Sequence, residues 1–324
     1  MLLALAFSAA LAAPAPPSRL DAVRQRYEAL WEDVTRPRVI DAPLRATLMA
    51  RLAAAARELD ALDRNPDDAA VLDYEREVGL EEQTVPALLA GAPPPLDGAP
   101  GAHVGLARVG SRYEPFAYWV PRGYTPRTPP RLVVLLHGAT QPETDFVARS
   151  FFRDLADASD TVLLAPGGDD RDGDAMARSA AAAERALATV VATDARKRYA
   201  GGYSNGVYCA FHAVATQHEP YAGMLAISGV IRAVDLRPVA AQLAGEGVYV
   251  VEGSDDHVIG GAAVRTTVRL LRAQHVYARY YEEPRATHEL RPMYPAIARA
   301  WSDMLAGVTT IPDDGLGAIT EGAL

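Results

Sequence analysis

The chain is expected to fold as a doubly wound, mostly parallel α/β sheet preceded by a small all-helical appendage. From residue 102 onward, short apolar runs alternate with helical stretches, the pattern of successive βα units. The stretch Leu132-Val133-Val134-Leu135-Leu136 is uninterrupted apolar sequence, as a central strand buried on both faces requires. Before residue 90, apolar residues recur at helical spacing only.

With 324 residues, there is room for one large α/β domain and a smaller appendage. Hydrophobic residues make up 49% and charged residues 23%, ordinary proportions for a globular protein. The net charge of −9 argues against a nucleic-acid surface and against docking on anionic lipid. Cys209 is the only cysteine, so no internal disulfide supports the fold; on an apolar helix face it reads as a small core residue. There is no dinucleotide fingerprint, phosphate loop, HExxH or paired CxxC, so neither a cofactor nor a metal is expected.

Residues 1–17 resemble the core and cleavage region of a secretory signal. The apolar run is too short to span a bilayer comfortably, and Ala10-Leu11-Ala12 fits small-x-small cleavage. Basic residues are missing ahead of it, and no cysteine follows it for lipid attachment. A secreted or periplasmic protein with no integral membrane segment is the expectation.

Residues 18–90 read as helices. Ser18 can cap the first, with Asp21 completing a capping box. Leu20, Val23, Tyr27, Leu30, Trp31 and Val34 form its stripe, and Pro37 ends it. A second helix from Asp41 carries Leu44, Leu48, Leu52, Ala55, Leu59 and Leu62, and Asn65-Pro66 stops it. Two shorter helices follow over 67–78 and 81–89. This appendage reads as a packing or dimerising element, with a cap over the active site as the alternative. Residues 91–101, containing Pro93-Pro94-Pro95, read as a linker.

The α/β part spans 102–306. Strands are expected at 103–109, 115–120, 131–138, 161–165, 198–203, 222–228, 247–252 and 276–281. Helices are expected at 143–158, 175–192, 205–217, 236–243, 261–274 and 292–305. The segment between strands 222–228 and 247–252 suffices for one helix but not for a large lid. Residues 307–324, rich in Gly, Thr and Asp, are expected to form a flexible tail.

Ligands of such sheets bind at the carboxyl ends of the strands, so the post-strand residues are the ones to inspect. Gly202-Tyr203-Ser204-Asn205-Gly206 follows one strand, Gly253-Ser254-Asp255-Asp256-His257-Val258 another, and Ala286-Thr287-His288 the last. A serine hydroxyl is a poor nucleophile until a base takes its proton; imidazole can do so, and an acid behind the imidazole fixes its tautomer. Serine, acid and histidine all stand at strand ends on the same side of the sheet.

The chain from about residue 102 to 306 resembles the α/β-hydrolase superfamily. It is similar in particular to secreted esterases of the polyhydroxybutyrate-depolymerase and feruloyl-esterase type, and to the carboxylesterase/phospholipase group. The motifs are Trp119-Val120-Pro121-Arg122-Gly123-Tyr124, Val133-Val134-Leu135-Leu136-His137-Gly138, Gly201 to Gly206, Gly253 to Val258, and Thr287-His288. The resemblance implies Ser204 as nucleophile, His288 as general base and then acid, and Asp256 as triad acid, with Asp255 the alternative. It implies an oxyanion hole from the backbone N–H groups of Asn205 and Ala139. The loop departs from the HGGG form of some lipases, and Thr287 stands where the family often has glycine. The implied substrate is a small or polymeric carboxylic ester, and no cofactor is needed. The same triad also serves serine peptidases, thioesterases and acyltransferases, and a silent hydrolase-fold binding protein is the alternative of another class.

Other histidines read as structural. His137 neighbours the oxyanion loop, and His275 lies at a helix end. His103, His212 and His218 have no post-strand context. His257 is the second choice for the base. The acidic loop 167–174 lacks EF-hand spacing and reads as a solvated loop.

Overall fold

The computed structural model describes residues 18–36, 41–64, 67–169, 171–217 and 219–317. The expected signal segment, Pro37, Asn65-Pro66 and His218 lie outside the described residues.

Helix α1 (Arg19–Thr35) starts as its sequence dictates: Ser18 Oγ accepts the Asp21 N–H, and the Asp21 carboxylate accepts the Ser18 N–H. It is followed by α2 (Ala42–Arg64) and α3 (Asp68–Ala90). The sequence suggested two short helices where α3 runs unbroken. Gly79 in its middle costs only about 1 kcal/mol relative to alanine. Against that stands a continuous buried face of Tyr74, Val78, Val85 and Leu88, with Asp67 capping the start and Gly91 at φ +60° closing the end. The stripe residues Val23, Tyr27, Leu30 and Val34 of α1 meet Leu48, Leu52 and Leu59 of α2 and this face of α3 in one cluster, to which Leu106 also belongs.

The sheet contains β1 (Gly101–Val109), β2 (Arg112–Val120), β3 (Arg131–Leu136), β4 (Thr161–Pro166), β5 (Arg198–Tyr203), β6 (Met224–Ile227), β7 (Gly247–Gly253) and β8 (Tyr277–Glu283). Its order is β1-β2-β4-β3-β5-β6-β7-β8. The pairs β1–β2 and β2–β4 are antiparallel, and all others are parallel. Leu132, Val134 and Leu136 join the core on one face while Val133 and Leu135 join the core on the other, as the alternation of side chains along a strand requires.

The first core lies under α6 (Gly173–Leu187), α7 (Asn205–Thr216), α8 (Ala233–Gln242) and α9 (Gly261–Ala273). The second lies under α4 (Thr144–Ala148), α5 (Ser150–Ala158) and α10 (Tyr294–Leu305). One helix was expected across 143–158. Arg149 is instead extended at ψ 122°, and its Nε donates back to Asp145 Oδ1 at 2.6 Å. Helix α6 starts at Gly173 and stops at Leu187, short of residue 192, and α8 begins at Ala233 with Pro238 inside it. No helix among the described residues is long and apolar enough to cross a membrane.

Of the tail 307–324, expected to be flexible, residues 307–317 are tied to the sheet and α9, and 318–324 lie outside the described residues. Tyr249 donates to Val308 O at 3.0 Å and Arg279 to Thr310 O at 2.7 Å. The buried Arg272 guanidinium bonds both Asp314 oxygens, at 2.9 and 2.6 Å. Composition could not reveal this, because the anchoring groups come from β7, β8 and α9. The Asp314→Ala variant should lose about 2 kcal/mol of stability, read as a lower urea midpoint; an unchanged midpoint would mean that the segment carries no such tie.

Candidate active site

The turn between β5 and α7 exposes Ser204. Its backbone sits at φ 53°, ψ −122°, a region that non-glycine residues rarely occupy. The Ser204 N–H donates to Ile227 O on neighbouring β6 at 2.8 Å, which holds this conformation in place. Two glycines let the turn close. A Cβ on Gly202 would lie 2.3 Å from Gly206 O, and one on Gly206 would lie 2.2 Å from Leu136 O at the end of β3.

The chain brings Ser204, Asp256 and His288 together. His288 Nε2 lies 2.9 Å from Ser204 Oγ, and its Nδ1 lies 2.7 Å from Asp256 Oδ2. With a proton on Nδ1 donated to Asp256, Nε2 is free to accept from the serine hydroxyl. The other Asp256 oxygen accepts the N–H groups of Val258 and Ile259, at 2.9 and 3.2 Å. Burial opposes the charge on Asp256, but the hydrogen bonds from His288, Val258 and Ile259 outweigh it and hold the carboxyl below its ordinary range. It is therefore ionised at neutral pH. The Asp256 side chain is 1% exposed and that of His288 18%, so the acid is sealed while the base still meets solvent. Asp255, the alternative acid, accepts instead from Ser254 Oγ. His257 is exposed.

The expected oxyanion donors differ in setting. Asn205 opens α7 directly after Ser204, so its N–H lies in the first turn of that helix. Ala139 lies in the exposed turn after β3, next to Gly138, where a Cβ would come within 3.3 Å of Ser204 Cβ. The Gly138 N–H is occupied by Gln141 Oε1 at 3.1 Å. His137 is buried, with Nδ1 3.0 Å from Gly138 O.

Sequence reasoning missed several contributors. Tyr203 lies beside the imidazole, with ring centroids 5.2 Å apart, and its hydroxyl donates to the His288 carbonyl. Burial pushes its phenol well above the ordinary value, so it remains a donor. Its place inside the G-x-S-x-G motif was the only available signal. Gln141 had none. Arg291, close after His288, bonds Asp73 of α3 at 2.9 Å, which ties the histidine loop to the helical layer.

The acidic loop 167–174 spends carboxylates on local bonds: Asp169 accepts the Arg171 N–H, and Asp172 caps α6 through the Ala175 N–H. Asp174 turns to His212, which lies 2.8 Å from it and 2.9 Å from Asp235, with Arg232 alongside.

No protein-family model matches the chain, and no curated protein matches it in sequence. Solved structures do. An S-formylglutathione hydrolase (FrmB) from Staphylococcus aureus is similar at TM-score 0.52 and 14% identity, over 63% of this chain and 98% of that one. FphF, a fluorophosphonate-binding serine hydrolase of the same organism, matches at 0.52 and 14%, over 64% and 99%. Dipeptidyl peptidase 4 from Porphyromonas gingivalis matches at 0.51 and 14%, over 63% of this chain but 35% of the peptidase. The chain spans 35 to 40% of the length of this and the acylaminoacyl peptidase from Pyrococcus horikoshii that it also matches. The fold is that of the α/β-hydrolases.

Two outcomes test the geometry. Gly206→Ala must push α7 off the end of β3 and should cost about 3 kcal/mol or more, measured by thermal unfolding; wild-type stability would contradict the close approach. Burial disfavours charged His212, but Asp174 and Asp235 outweigh it and raise its pKa above 6.5. Its contribution to stability is thus full below pH 6.5 and vanishes as pH rises through the raised folded value. His212→Gln should be destabilising at about pH 5 and close to neutral in effect at about pH 9. Equal losses at both would show that the two aspartates do not stabilise its charge.

Proposed function

We propose that the protein is a serine hydrolase that cleaves carboxylic esters through an acyl-enzyme. The observation that carries this reading is the continuous relay from Ser204 Oγ through His288 to a sealed, ionised Asp256, at 2.9 and 2.7 Å, on a strained turn. In the proposed reaction Ser204 Oγ attacks the ester carbonyl and its proton passes to His288 Nε2. Asp256 stabilises the imidazolium, whose charge would otherwise be costly beside a buried sheet. The negative oxygen of the tetrahedral intermediate takes hydrogen bonds from the Asn205 and Ala139 N–H groups. The C–O bond to the alcohol breaks as His288 returns the proton to the leaving oxygen. Water, deprotonated by His288, then attacks the acyl-enzyme, and Ser204 leaves with the proton. Oxygen esters are preferred over amides in this reading because the motifs around Ser204, Asp256 and His288 resemble those of esterases.

A fluorophosphonate probe on the purified protein should give one adduct, mapped by mass spectrometry to Ser204. Ser204→Ala should abolish it, and His288→Ala should slow both labelling and p-nitrophenyl ester turnover by about 10³-fold or more. Absence of an adduct on folded protein would sink the proposal. Faster turnover of an anilide or thioester than of the matched oxygen ester would redirect it to a peptidase or thioesterase.

A further inference from the structure

The α1–α3 layer shares buried charges with the loop that follows β3. Arg51 of α2 donates to Glu143 through Nη1 and Nη2, at 2.6 and 2.8 Å. Its Nε donates to Glu81 of α3 at 2.6 Å, and Thr144 Oγ1 donates to the same Glu81 carboxylate at 2.6 Å. The side chains of Arg51, Glu81 and Glu143 are 10, 1 and 2% exposed. An arginine from one helix thus clamps a carboxylate of its neighbour and a carboxylate of the loop in a site shielded from water, where such bonds are most directional.

The clamped loop leads directly to Ser204. Gln141, two residues before Glu143 in the same loop, accepts the Gly138 N–H through Oε1, while its own N–H donates to Gly138 O at 3.2 Å. Its Nε2 donates to Asp145 Oδ2 at 3.3 Å, and Asp145 is held by Arg149. Gly138 touches the nucleophile turn, and Ala139 is the next residue. Only Pro142 separates Glu143 from Gln141, and through that short link a shift of Glu143 would move Gln141 and the peptide that presents the Ala139 N–H.

We propose that Arg51 is a positioning residue for the oxyanion hole: through Glu143 and Gln141 it sets where the Ala139 N–H stands relative to Ser204, so that the helical layer is a working part of the catalytic site. This rests on the function proposed above. In this proposal the layer acts as a buttress for the loop after β3. Ion pairs of this kind contribute little net stability compared with apolar residues of similar size; the contribution proposed for Arg51 is geometric.

The test uses the full chain and p-nitrophenyl butyrate. Because the oxyanion forms only on the way to the transition state, Arg51→Met should lower kcat about ten- to a hundredfold and leave KM within about threefold. Arg51→Lys, which keeps the charge but not the fork, should fall between Arg51→Met and the parent. Arg26→Met, which breaks a bond to Glu82 in the same layer but away from the loop, should keep the parent kcat. If Arg51→Met does not fold, the apolar set Arg51→Met, Glu81→Leu, Glu143→Leu, which leaves no buried carboxylate of the clamp unpaired, takes its place. Parent kcat in a folded Arg51→Met or triple variant would overturn the proposal. So would an equal fall in Arg26→Met, since that would reduce the effect to general loosening of the layer. Ester hydrolysis that survives Ser204→Ala would instead remove the proposed function, and the Arg51 inference with it.

Discussion

Backbone crowding at one crossing governs this molecule. The end of β3, the end of β5 and the first turn of α7 approach so closely that two positions tolerate no side chain beyond hydrogen. The approach depends on β3 and β5 being neighbours in the sheet, with Leu136 level with Gly202. Once the strands are in that register, α7 can start in only one place, and Ser204 is left at the turn with a dihedral pair it would not choose in isolation. The strain is held by ordinary packing: Val207, Cys209, Ala210, Phe211 and Val214 of α7 are buried in the core beneath. A site of this kind is pre-organised because the surrounding fold over-determines it.

Around that crossing the protein stores charge where water is scarce. Asp256, Glu81, Glu143 and Asp145 are buried, and each has a named partner. For Glu77, burial raises the carboxyl well above its ordinary value, and the Tyr27 hydroxyl donates to it at 3.1 Å. Leaving any one of these carboxylates alone would cost more than the pair contributes. The helical layer and the α/β part consequently depend on each other: removing the helices would expose Leu106 of β1, take Leu80 of α3 out of the second core, and leave Glu143 without its arginine. They form one mechanical unit.

A good deal of this was legible in the residues. Periodicity of apolar side chains is local information, and it fixes element type: the continuous run at 132–136 is a doubly buried strand, and the stripes of α1 and α2 are buried on the faces they mark. The pair of glycines around Ser204 and the order of serine, acid and histidine after β5, β7 and β8 pointed to the three side chains that meet. Local signals misled where tertiary packing outweighed them. Gly79 did not break α3, because its continuous buried face outweighed the glycine, whereas the extended Arg149, bonded back to Asp145, divides the helix expected across 143–158.

What the sequence by itself determined was therefore the alternation of elements, the strand–turn–helix around Ser204 and the strand ends at which chemistry could gather. Only the tertiary structure decided between Asp255 and Asp256 as the neighbour of His288, since adjacent side chains in a turn point in different directions and only one reaches the imidazole. It alone set Tyr203 against His288 and bonded Arg51 to Glu143, residues far apart in the chain. Such contacts depend on how layers stack, and no spacing rule within one element encodes them.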